Sequence, residues 1–272
     1  MSRSVISKFA LHTTRCQTDG MCPLSPGETR PTRRTRLRRA TVDQIKTLAR
    51  RQLADGGPSA LSLRAIAREM GTASSALYRY FASYDELIGA LCADAYDAVA
   101  DALAAARDTR PETDHAGRLW EVSRSFRQWS LDNGADFALI FGTPVPGYRA
   151  SEQVTGPAAG RFTAIPLELY AAAVGAGAAD PGRTQVPADV TLGADYHALL
   201  AGVPPDYPPA LVAIVLTASA SVRGYITMEV FGSLNRLLGD TDKLFDGHLR
   251  TVMLGMGFRP DLVKAAAHPD RT

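Results

Sequence analysis

Cysteine is scarce and badly spaced for chemistry. The 272 residues hold three, Cys16, Cys22 and Cys92. An odd number with no CxxC pair argues against a disulfide scaffold and a thiolate zinc site. His115, His197 and His248 are scattered, with no Cys or Glu at ligand spacing, so neither a metal nor a cofactor is expected. Aromatics are sparse at 7%, while hydrophobic residues reach 46%. Ala and Leu dominate them, and both form helices better than strands. With no alternating strand pattern and no internal repeat, the fold expected is all-α. No run of about 18 uncharged apolar residues occurs; the best candidate, Leu211–Ala220, is soon interrupted by Arg223, so no membrane partner is expected. Arg3 and Lys8 precede too short an apolar run for a signal peptide, which points to a cytoplasmic protein. Ser-His-Asp, P-loop and GxGxxG patterns are missing, as is any paired acid/base constellation, and this argues against an enzyme.

Charge is present, but unevenly. Residues 1–40 carry nine basic and two acidic groups, a net of +7. Because the whole chain sums to +2, the remainder carries −5. A basic arm on an acidic body implies a polyanion at one end only. Most of the basic groups are arginine, which suits phosphate contact and which a GC-rich genome would also produce.

Residues 1–39 read as a disordered basic extension. Residues 1–29 mix Ser, Thr, Pro and Gly without apolar periodicity, and Met21 is an alternative start. Between Arg30 and Arg39 stand six arginines and no acid, whose repulsion should keep the run extended. Order is expected from Thr41, a plausible N-cap, with Val42, Ile45, Ala49 and Leu53 at helical spacing up to Gly56-Gly57-Pro58. Ser62 caps a short helix bearing Leu63, Ile66, Ala67 and Met70, which Gly71 stops. A third short helix spans roughly Ala73 to Tyr80, with Ala76, Leu77 and Phe81 apolar. Ser83 and Glu86 form a capping box that opens a long fourth helix striped by Leu87, Ile88, Leu91, Ala95, Val99 and Leu103. Helix continues beyond, broken at Gly134, at Thr143–Gly147 and across 175–188. A long apolar helix follows over about 209–234 and a last one over about 242–256. The domains read as 1–39, 40–92, 93–260 and a tail, 261–272.

The segment "ALSLRAIAREMGTASSALYRYFASYDELIGAL", Ala60 to Leu91, resembles the TetR-family DNA-binding domain. Ser62, Ile66-Ala67, Gly71, Leu77-Tyr78-Arg79-Tyr80-Phe81 and Asp85-Glu86-Leu87 carry that resemblance with its spacing intact. It implies a three-helix helix-turn-helix domain joined by a long helix to a helical bundle. The partner implied is double-stranded operator DNA, contacted by a homodimer. In such a motif the N-terminal residues of the second helix face the major groove. Here those are Thr72, Ala73, Ser74 and Ser75, small enough for close approach, with hydroxyls that discriminate bases weakly. Tyr78, Tyr80, Arg64 and the N-cap region at Ser62 would hold phosphates. Tyr84 stands where the family usually has Lys, so a phosphate ion pair becomes at best a hydroxyl contact. Arg33, Arg34, Arg36, Arg38 and Arg39, placed before the motif, resemble arms that enter a minor groove or follow phosphates. A merely solvated linker is the alternative.

Residues 115–257 resemble a WHG-type effector domain. The match lies in Phe126–Leu131, Phe137–Tyr148, Arg223-Gly224-Tyr225 and Met228–Gly232. It departs where Arg223-Gly224 replaces the W/H-G pair and where 175–208 reads as an insertion. An unidentified small-molecule effector is therefore expected between helices, with Phe126, Trp129, Phe137, Tyr148 and Tyr170 as lining aromatics or simply as core. Two apolar stripes, including Ile214, Ile226 and Val230 on one helix and Leu249 and Val252 on the next, are expected to build the dimer or the interior. The function expected is a repressor released from its operator by a small hydrophobic ligand. A DNA-binding regulator without a ligand and a helical enzyme with a basic tail are the alternatives.

Overall fold

The computed structural model describes residues 32–57, 60–142, 148, 151–193, 207–234 and 236–267. The chain divides into two compact units, Met1–Gln44 and Ile45–Thr272. Within the first unit, the arginine run is not extended. Helix α1 spans Arg33–Gly56, so the arginines from 33 onward are helical, against the expectation of repulsion-driven extension. The reason is local. Arginine is a good helix former, and Thr32 caps the start, its Oγ1 accepting from the Thr35 amide at 3.2 Å. Thr41 is therefore no N-cap; it lies mid-helix and its hydroxyl donates to the Leu37 carbonyl at 2.9 Å.

In the second unit, α2 is Leu63–Glu69 and α3 is Ser74–Leu77. Helix α4 runs Tyr84–Arg107, passing residue 92 without a break. Helices α5, His115–Asp132, and α6, Gly134–Phe141, meet at Asn133. Helix α7 spans Glu152–Gly175 with Pro157 and Pro166 inside it. Then come α8, Pro209–Val230, α9, Thr241–Gly255, and α10, Pro260–Ala267. No named strand occurs among the described residues; one isolated bridge joins Ala179 to Phe258. The Thr143–Gly147 break lies outside the described residues, as do 194–206 of the 175–208 stretch.

Two termini follow from sequence chemistry as anticipated. The Ser62 hydroxyl accepts from the Ala65 amide, and that of Ser83 from the Glu86 amide at 3.1 Å. The Glu86 carboxylate reaches back to the Ala82 amide at 2.5 Å, one residue earlier than a standard capping box. The expected stripe on α4, Leu87 through Leu103, is fully buried. It packs against α5, α6 and α7, while α8 packs against α5, α7 and α9.

The chain end is a correction. Residues 261–267 are no tail: α10 buries Val263 and Ala266 and packs on α5 and α9. Pro260 pre-sets its first turn. Before it, Gly257 has φ +83°, and a Cβ there would meet the Asp180 carbonyl oxygen at 2.1 Å. That close approach lets the Asp180 amide donate to Gly257 O at 3.0 Å and the Arg259 amide to Ala178 O at 3.1 Å.

Helix α8 is long and apolar enough, by length and composition alone, to cross a membrane. It also carries Arg223 and Glu229, and its Val212–Val215, Val222 and Ile226 face lies in the core. Glu229 is buried with Arg127 of α5. The Arg127 Nε and Nη2 donate to the two Glu229 oxygens at 2.6 and 2.7 Å, and Nη1 lies 2.7 Å from Asp242. Hydrogen bonding to Glu229 drives the Arg127 pKa further above its usual value.

Candidate nucleic-acid interface and effector cavity

Helices α2 and α3 meet at a tight turn. Gly71 takes φ +64°, a left-handed conformation that side chains resist. Leu63, Ile66, Ala67, Leu77 and Phe81 pack beneath the turn. Fixing the two helices this way leaves Ala73 and Ser75 exposed, with Thr72 and Ser74 half-buried. Helix α3 is only four residues long, shorter than the Ala73 to Tyr80 span expected, because turns replace helix from Tyr78. Tyr78 is 49% exposed despite its size, and Tyr80 and Tyr84 are half-buried. Arg64 is exposed on α2. Arg79, between the two tyrosines, is exposed and in no ion pair among the described residues. The sequence pattern L-Y-x-Y-F leaves its position unspecified, so only its charge beside Tyr78 singles it out.

The end of α1 is tied to the bundle by charge. Lys46 lies 2.8 Å and Arg50 3.2 Å from the Asp94 carboxylate of α4, and Arg50 Nε donates to Asp136 of α6 at 3.1 Å. Arg51 pairs with Glu69 of α2.

Deeper in the bundle, α4, α5, α7, α8 and α9 surround a cavity of about 60 Å³. Its walls are almost wholly apolar, from Leu103 on α4 through Phe126, Phe162 and Val215 to Met253 on α9. Phe126, Phe141 and Phe162 form one aromatic cluster, with centroids 5.4 to 5.6 Å apart. Ser123, Ser219 and Arg223 are the polar wall residues. Ser123 already donates to the Leu119 carbonyl at 2.9 Å. Among the described residues, no three His, Cys, Asp or Glu side chains gather to hold a metal.

Residues 45–91 match the model for bacterial regulatory proteins of the tetR family, and 119–252 match a tetracyclin repressor-like C-terminal domain. The chain is 36% identical over 213 residues to the HTH-type transcriptional regulator Rv1816 of Mycobacterium tuberculosis, covering 77% of this chain and 89% of that one. The chain belongs to the TetR family of transcriptional regulators. Regulation through DNA binding is thus its function. Among solved structures, SCO4313 matches with TM-score 0.63 and 34% identity, covering 82% of this chain and 99% of that one. A tetR-family regulatory protein from Rhodococcus RHA1 shares the fold at TM-score 0.56 and 16% identity, covering 80% of this chain and 97% of that one.

In this TetR-family chain the aromatics expected to line a pocket mostly do something else. Phe126 lines the cavity. Trp129, Phe137 and Tyr170 are buried without facing it, and the Tyr170 hydroxyl donates to the Met256 carbonyl at 2.7 Å. Tyr148 sits instead against the Cys92 thiol, burial pushing its hydroxyl up to about 12 and that of the thiol to about 11. Size and hydrophobicity mark a buried aromatic, not whether it borders a void.

Of the residues expected at a dimer seam or in the interior, three lie in the interior. Ile214, Ile226 and Leu249 are 3%, 0% and 1% exposed within their own protomer. Leu249 and Val252 line the cavity, and Val230 is half-buried. The outward side of α8 presents Leu216, Thr217, Ala220, Ser221, Gly224 and Met228, ending at Phe231. The outward side of α9 presents Leu244, Thr251, Leu254 and Gly255. The stripe on α8 repeats at three- and four-residue steps, and that on α9 at two helical turns and then one. Periodicity alone marks an apolar stripe without saying which side of the helix faces the core.

Proposed function

We propose that this TetR-family regulator is a homodimeric repressor that leaves a near-palindromic operator when a small hydrophobic ligand enters the cavity. The observation that carries the reading is α4. It opens beside the helix-turn-helix at Ser83 and contributes Leu103 to the cavity wall, so one rigid element belongs to both sites. RolR, which shares the fold at 17% identity and TM-score 0.51, was solved with its ligand resorcinol. That precedent fits a cavity between helices serving as the effector site. Titrating the operator-bound protein with small lipophilic compounds while following DNA release by fluorescence anisotropy tests the reading; a compound that binds the cavity without moving the anisotropy defeats it.

Base edges are assigned to Thr72, Ala73, Ser74 and Ser75, and phosphates to Ser62, Arg64, Tyr78, Tyr80 and Tyr84, with Arg79 added. The exposure of Ser75 and Tyr78 supports the division. Ser75→Ala should shift the preferred operator, removing about 1–3 kcal/mol of discrimination at one base pair. Tyr78→Phe should weaken specific and non-specific DNA equally. Selection from random DNA checks both, and an altered consensus from Tyr78→Phe with none from Ser75→Ala reverses the orientation.

The arm acts through phosphates. Being helical, it turns 100° per residue, so Arg34 and Arg38 share one side while Arg36 and Arg39 share another. About two of Arg33, Arg34, Arg36, Arg38 and Arg39 can meet one backbone at once. Changing all five to Gln, another good helix former, should lower the salt slope of log K by about 2, at roughly 0.9 per lost contact. An unchanged slope rules the arm out of the interface.

A further inference from the structure

Arg223 is out of keeping with the wall it belongs to. It lines the cavity among Leu, Val, Phe and Met side chains, and no Asp or Glu shares that wall. Its Nε is buried with no hydrogen-bond partner. No ion pair reaches its guanidinium among the described residues, although fifteen join other charged groups in the same structure. Phe141 covers one face of the group, the guanidinium carbon lying 5.0 Å from the ring centroid. A ring face offers a cation some attraction, but it gives the in-plane N–H edge no acceptor.

A buried N–H without an acceptor costs free energy. Arg127, the buried arginine of α5, shows how the cost is met: it is held by Glu229, Asp242 and Thr241. Arg223 has no such partner among the described residues, and the cavity wall beside it is apolar. A ligand that brought its own acceptor would complete the site.

We infer that the effector is a small carboxylic acid whose carboxylate pairs with Arg223 while its short aliphatic body packs against Phe126, Phe162 and Val215. This rests on the cavity being the effector site. The charge follows from the wall, which supplies one cation and so suits a monoanion better than a phosphate ester near −2. The shape follows from guanidinium geometry, because a planar fork of N–H groups matches a carboxylate. The size follows from volume: about 60 Å³, at roughly 10–15 Å³ per water-sized occupant, admits about four to six such units.

Isosteric probe pairs separate the charge from the shape. Propionate and propionamide, and butyrate and butyramide, are titrated into the full-length protein by calorimetry and into its operator complex by anisotropy. Both acids should bind more tightly than their amides and release DNA at lower concentration. Arg223→Gln should weaken the acids by about 10- to 100-fold, the loss of a hydrogen bond to a charged group, and leave the amides unchanged. Arg223→Lys should keep part of the preference. Without ligand, Arg223→Gln should melt no lower than the parent, since it removes an unsatisfied cation; a lower melting temperature would give Arg223 a structural role and overturn the inference. Acids that bind no better than amides, or a preference that survives Arg223→Gln, would overturn it while leaving the cavity as effector site. If none of the four binds and none releases DNA, the effector reading falls with it.

Discussion

Glu229→Ala should destabilise the protein by about 3–5 kcal/mol, the range for breaking a buried ion pair from one side. At about 2–4 °C per kcal/mol for a chain of this size, the melting temperature should fall by about 6–20 °C. The cause is the guanidinium left behind. Arg127 is 8% exposed and Glu229 3%, and their two hydrogen bonds pin α5 to α8. After the substitution Arg127 retains Asp242, whose side chain is 76% exposed, and a buried cation loses its close partner. Replacing both residues by Met should cost far less, because two apolar side chains of similar volume leave no charge unpaired. Thermal unfolding of the two single variants and the double variant checks this. If the double variant is as unstable as Glu229→Ala, the loss is one of packing and the ion pair is incidental.

The pair also shows what a linear reading can and cannot reach. Residues 127 and 229 stand 102 positions apart, and neither carries a local pattern that marks it. Ser62, Gly71 and Ser83 are the opposite case. Each acts on amides within three residues or on its own φ, so its role is written in its immediate neighbours, and each does in the fold what its position foretold. Between these extremes lie Ile226 and Leu249. Their helices were legible from spacing, but the facing was not, since an apolar stripe fits an interior as well as a partner. The arginine run erred differently: charge repulsion was weighed above helix propensity and capping by Thr32, which won. Arg223 was visible only as a departure from a family pattern, and its meaning needed the cavity.

Leu254→Asp should separate the protomers and lower affinity for the complete operator by about 100- to 10,000-fold, the usual span of a bivalent advantage. Leu254 is 45% exposed on α9 and Met228 45% exposed on α8. Both lie on the outward stripes, where Ser221 and His248 approach to 3.3 Å and join the two helices. The small residues Ala220, Ser221 and Gly224 would let a second copy come close, and an aspartate set in that apolar seam would be desolvated without a partner. A duplex with a single half-site should bind the variant as well as it binds the parent, because the reading helix is untouched. Ile226→Asp, by contrast, should unfold the protomer, since that position is fully buried. Sedimentation velocity at micromolar concentration separates the cases. A Leu254→Asp protein that still sediments as a dimer places the seam elsewhere.

Helix α4 also sets a scale. Its 24 residues make a rod about 36 Å long at 1.5 Å per residue. Two half-sites on one face of a duplex are separated by one helical turn, about 34–36 Å. The rod is therefore as long as the distance the proposed dimer would have to match. By simple leverage, a tilt of about 5° at the cavity end carries the other end sideways by about 3 Å over that length. Two copies related by a two-fold axis double the error, to about 6 Å, nearly two base pairs at 3.4 Å each. A displacement no larger than one side-chain rearrangement around Leu103 would thus put both reading helices out of register with their grooves together.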